Sequence, residues 1–84
     1  MNAEEVERVG GAFGRAVKLR RVEVGYTQEE LAERAQLARS FVSGVERGTV
    51  KATVATVWKL AKGLHYSPSK LWAAAEEIYH SKHR

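Results

Sequence analysis

TQEELAERAQLARSFVSGVER, residues 27–47, decides how the rest of the chain reads. Thr27 is a favoured N-cap, and Glu30 three positions later completes a capping box, each side chain satisfying a backbone amide at the helix start. Leu31 and Ala32 then fall on one side, with Glu29, Glu30, Glu33 and Arg34 on the other, as the 3.6-residue period requires. Ala32 is small where two helices crossing at a short turn bring their backbones together. Leu37, after Ala35, plugs the turn from beneath. A second helix from about Ala38 to Arg47 sends Val42 and Val45 inward at i and i+3, leaves Arg39, Ser40, Ser43 and Gly44 on its outer face, and stops at Gly48.

Two short helices of this kind resemble the helix-turn-helix of the lambda-repressor-like (Xre/Cro) transcription regulators, and the resemblance extends from about Phe13 through Leu71. Within that family, LARSFVSGVERG (37–48) is most similar to the controller proteins of restriction-modification systems, where the pattern L-x-R-[ST]-aromatic-[VI]-S-G-[VI]-E-R is usual. The resemblance implies an all-α fold: a compact five-helix DNA-binding domain with its helix-turn-helix at helices 2 and 3. It implies a homodimer on double-stranded DNA, its two third helices entering successive major grooves of a near-palindromic operator. Control of restriction-modification genes and of its own promoter would follow, with RNA polymerase as the partner whose position sets activation or repression. No cofactor is implied.

The resemblance also assigns residues. Gln28, Arg47 and Lys51 match positions that hold the DNA backbone, whereas Arg39 stands where the family reads base edges and can bond guanine O6 and N7 with two donors. Ser40 and Ser43 reach over shorter distances. Phe41, where controllers often carry tyrosine, can touch a thymine methyl or pack inward. Arg21 matches an arginine commonly paired with the glutamate of the E-R-G segment, here Glu46, tying helix 1 to the end of helix 3.

Eighty-four residues suit one domain with a modest core, for which dimerisation would add stability. Cysteine is absent, removing disulfides and thiolate chemistry together. No secretory signal and no bilayer-length apolar run is evident, so the expected compartment is the cytoplasm and no membrane partner is implied. Net charge is +4, concentrated in the middle: residues 13–70 carry eleven Lys/Arg against five Glu, a footprint suited to phosphate.

Residues 1–12 read as an N-terminal helical extension, acidic at Glu4, Glu5 and Glu7 and interrupted at Gly10 and Gly11. The domain proper is expected over 13–79, with a basic tail at 80–84. Its first helix runs from Phe13 to about Val24, with Phe13, Val17 and Val24 as core candidates and Gly25 closing it. Arg20 stands where the family usually has an apolar residue; either its stem snorkels or Leu19 is recruited by a rotation. A loop over Thr49–Ala52 leads to a fourth helix from about Thr53, with Val54, Val57, Leu60, Ala61 and Leu64 as a core stripe. Ser67 and Pro68 start a fifth helix. Leu71 returns to the core, while Trp72, Ala75, Ile78 and Tyr79 form an apolar side longer than so small a body covers, which suits a dimer interface.

An enzyme is not indicated: the chain has no aspartate, no Gly-rich phosphate loop and no Ser/His/acid constellation. His80 and His83 stand at i, i+3 but lack a carboxylate or thiolate companion, so a solvated tail is expected rather than a metal site. His65, in a turn, is read as surface. The alternative to a DNA-binding regulator is an antitoxin-type module that binds a toxin and represses its own gene; such a protein usually needs an added toxin-binding segment.

Overall fold

The computed structural model describes residues 1–81 as five α-helices: α1 (Ala3–Glu23), α2 (Gln28–Ala35), α3 (Arg39–Arg47), α4 (Val54–Gly63) and α5 (Pro68–Ser81). Most helix starts are written locally. Asn2 with Glu5, Thr27 with Glu30, and Thr53 with Thr56 form capping boxes, and the Ser67 hydroxyl accepts from the Lys70 amide just before Pro68. Helix α3 differs, since Ala38 at its N-cap offers no side-chain acceptor. Gln36 (φ 57°) and Gly48 (φ 76°) end α2 and α3 in the left-handed region, returning amides to the last carbonyls.

Phe13, Val17, Leu31, Val42, Val45, Leu60, Leu64 and Leu71 fill the centre, with Ala32, Ala35 and Ala61 at the helix crossings. Helix α1 is the spine, with α5 and α3 laid against it, and α2 bridges α3 and α4. Val24 and Leu37 pack at the edge of this core rather than inside it.

The interruption expected at Gly10 and Gly11 is absent, because α1 runs unbroken across both. Close approach is required at their neighbours instead: a Cβ on Gly48 would lie 3.2 Å from the Gly11 Cα, and one on Gly14 only 2.0 Å from the Val45 carbonyl oxygen, whereas one on Gly11 has open space. The end of α3 is therefore seated directly on the α1 backbone. Packing against α3 and α5 offsets the roughly 1 kcal/mol that each interior glycine costs a helix.

Two further expectations fail because helical period does not say what lies beyond a helix end. Val54, placed in the α4 core stripe, is 85% exposed at the first position of its helix, while Val57, Leu60, Ala61 and Leu64 are buried. Gly44, placed on the outer face of α3, is buried because the chain folds back over it: Thr49 and Val50 both donate amides to its carbonyl, and an added Cβ would strike Val50. Arg20 resolves by snorkelling rather than rotation. Its guanidinium lies 4.0 Å from the Tyr66 ring centre and donates to the Leu64 carbonyl at 2.9 Å, whereas Leu19 stays exposed. His65 is exposed, as a surface residue should be, yet its Nε2 lies 2.8 Å from the Tyr26 hydroxyl, joining two turns distant in sequence. His83, Lys82 and Arg84 lie outside the described residues, and with them the His80/His83 pair and most of the 80–84 tail.

Candidate nucleic-acid interface

The brace comes first, because it orients both helices of the α2–α3 unit. The Arg21 guanidinium meets the Glu46 carboxylate with two prongs, Nε to Oε2 at 2.7 Å and Nη2 to Oε1 at 3.0 Å. Its Nη1 donates to the Tyr26 carbonyl at 2.8 Å, so one side chain joins α1, the turn before α2 and the end of α3. Hydrogen bonding and charge from Glu46 hold Arg21 above its ordinary pKa against the opposing effect of burial. Gln28 joins the same carboxylate, its Nε2 donating to Glu46 Oε1 at 3.0 Å. At the neighbouring cap, the Thr27 backbone amide and then its hydroxyl, aided by Arg34, keep the exposed Glu30 carboxyl below the usual range.

With its inner side fixed on Val42 and Val45, α3 turns Arg39, Ser40, Ser43 and Arg47 about one open concavity. Arg39 also borders a second concavity with Arg21, Thr27, Gln28 and Glu29 at the N-terminus of α2. Arg39 is exposed and makes no hydrogen bond or ion pair with another described residue. Its freedom contrasts with Arg20, Arg21 and Arg34, which are committed to carbonyl, carboxylate and ring partners. Arg47 donates through Nη1 to the Ser43 hydroxyl, one turn back along α3.

Some expected site residues sit elsewhere. Phe41 is half-buried and packed against the core, so inward packing accounts for part of its side chain. Lys51 is exposed, but it borders a groove with Val6, Val9, Val50, Ala52 and Trp72 rather than either concavity around Arg39. The Gln28 bond to Glu46 and the Arg47 bond to Ser43 were not anticipated. The second had a legible signal in its i, i+4 spacing; the first depends on the α2–α3 crossing and had none.

The apolar side of α5 is partly spent within the chain. Ala75, expected at a dimer interface, is 3% exposed and belongs to the core, covered by α1. Tyr79 accepts from Arg8 Nη2 at 3.0 Å, with the guanidinium over its ring. Trp72 packs its ring 5.1 Å from Phe13 yet remains 46% exposed. Trp72 and Tyr79 line a groove with Met1, Val9 and Ala12, whereas Ile78 lines a separate one with Ala16 and Leu19. Helix α1 thus divides what the sequence presents as one stripe.

Residues 17–71 match the family described as helix-turn-helix. An uncharacterised HTH-type transcriptional regulator of Sinorhizobium fredii, y4dJ, is 39% identical over 69 residues, covering 82% of this chain and 84% of that protein. Among solved structures, the restriction-modification controller protein C.AhdI of Aeromonas hydrophila is 37% identical with a TM-score of 0.72, over 74% of this chain and 94% of the other. A tyrosine-to-phenylalanine mutant of the controller protein C.Esp1396I is 30% identical with a TM-score of 0.82, over 90% and 95%.

Proposed function

The chain belongs to the helix-turn-helix family of DNA-binding transcription regulators and is related to restriction-modification controller proteins; from that premise we propose that it acts as a homodimer on a near-palindromic operator, controlling its own promoter and linked restriction-modification genes. The observation that carries this reading is the unpaired Arg39 on the exposed face of α3, beside a rigid Arg21–Glu46–Gln28 brace. A free guanidinium has its full fork of donors available for a guanine edge, and the brace fixes the helix that presents it.

Gln28, beside that reader, and the exposed Lys51, in the loop beyond α3, hold the DNA backbone. Gln28 spends one Nε2 hydrogen on Glu46 and keeps the second for a phosphate at the positive end of α2. Two copies joined through the groove at Trp72 place their α3 helices in successive major grooves, about 34–36 Å apart. RNA polymerase is then helped or blocked according to where the operator lies.

The test is a nuclease footprint of the purified protein on the DNA upstream of its own gene. Protection of an inverted repeat, lost with Arg39→Ala while helicity is retained, is the expected result. Uniform weak protection at every sequence, or none, would overturn the proposal.

A further inference from the structure

We propose that Arg47 is a second sequence-reading arginine, held on the base-facing side of α3 by Ser43, rather than a clamp on the DNA backbone. This rests on the operator-binding reading and deepens it by adding a second position to each half-site.

Arg39, Ser43 and Arg47 follow one another at intervals of four, so they share a stripe along α3. Side chains on a helix lean toward its N-terminus, and here the lean is fixed by the bond from Arg47 Nη1 to the Ser43 hydroxyl. The guanidinium is thereby drawn back over the concavity it shares with Arg39, instead of reaching past the helix end toward a flanking strand. The C-terminal end of α3 is also the negative end of its dipole, so a phosphate gains nothing from the backbone there.

What remains on Arg47 suits a base edge. No carboxylate among the described residues lies within ion-pair distance of it, and the neighbouring Glu46 is turned inward onto Arg21. The Ser43 bond uses Nη1, leaving Nε and Nη2 as a planar pair that can match guanine O6 and N7. Eight residues of helix rise about 12 Å, and base pairs repeat at about 3.4 Å. The guanines read by Arg39 and Arg47 therefore lie roughly three to four base pairs apart in each half-site.

Selection of binding sites from a random duplex pool separates the two roles. Wild type should recover two guanines per half-site. Arg47→Lys keeps the charge but loses the fork, so it should relax one guanine by about tenfold while leaving the salt slope unchanged. Ser43→Ala should relax the same position and spare the one that depends on Arg39. If Arg47→Lys recovers both guanines with wild-type preference, and Arg47→Ala merely weakens all sequences and flattens the salt slope, Arg47 is a backbone clamp and the inference falls. Unchanged preference in Ser43→Ala would overturn the part given to Ser43. A wild type that selects no sequence removes the operator reading as well, whereas an Arg39-dependent guanine alone removes only this inference. Circular dichroism of each variant confirms that the protein compared is folded.

Discussion

Arg21 and Glu46 stand twenty-five residues apart in sequence and meet as a two-pronged ion pair, with side chains only 12% and 3% exposed. Exposed pairs contribute about 0–1 kcal/mol, but here each partner shields the other from an unfavourable buried charge. Arg21→Ala or Glu46→Ala should each cost about 2–4 kcal/mol, and their double-mutant cycle should show coupling above about 1 kcal/mol in urea unfolding. Additive losses would mean that the pair carries no shared energy.

Gly14 offers a sharper packing test than any core leucine. A Cβ there meets the Val45 carbonyl at 2.0 Å, whereas one on Gly11 has open space. Gly14→Ala should force α3 away from α1 and destabilise the protein by about 2 kcal/mol or more. Gly11→Ala should stabilise it by roughly 0.5–1 kcal/mol through helix propensity. Chemical denaturation of both variants decides the matter; equal midpoints would show that the α1–α3 seat is not tight.

Glu30 reports on the start of α2. Its pKa is depressed in the folded state, chiefly by the Thr27 backbone amide, so its contribution to stability is present above the ordinary glutamate pKa. That contribution is lost as pH falls through the lower, folded value. Carboxyl NMR titration should find Glu30 below the ordinary glutamate range, with partial recovery in Thr27→Val, which keeps the backbone amide and removes only the hydroxyl. Glu30 titrating within the ordinary glutamate range would refute the cap assignment.

The division of α5 by α1 makes the proposed dimer surface testable one side at a time. Trp72→Ala removes the exposed ring at the Met1–Val9–Tyr79 groove, while Ile78→Ala alters the separate groove at Leu19. Sedimentation should give a folded monomer for Trp72→Ala, with weakened operator binding through lost avidity, and an unchanged dimer for Ile78→Ala. The reverse pattern would move the interface to the other side of α1.

Much of this protein is local, and the local part could be read from the chain. Thr27 with Glu30, Ser67 with Pro68, and Gly48 after Arg47 each set a helix end within a few residues, since caps and left-handed closures involve only near neighbours. The inward Val42 and Val45 and the exposed Arg39 follow from helical period alone. The pairing of Arg21 with Glu46 was legible through family resemblance, but not its company: the third partner, Gln28, arrives only where α2 crosses α3. Tertiary structure likewise decided that Gly10 and Gly11 continue a helix instead of breaking it, and that Gly14 lies against the α3 backbone, because a glycine's backbone freedom is local while the packing around it is not. It also buried Ala75 and split Trp72 from Ile78, since a periodic apolar stripe says that a helix side will be covered but not which helix will cover it, or along what line.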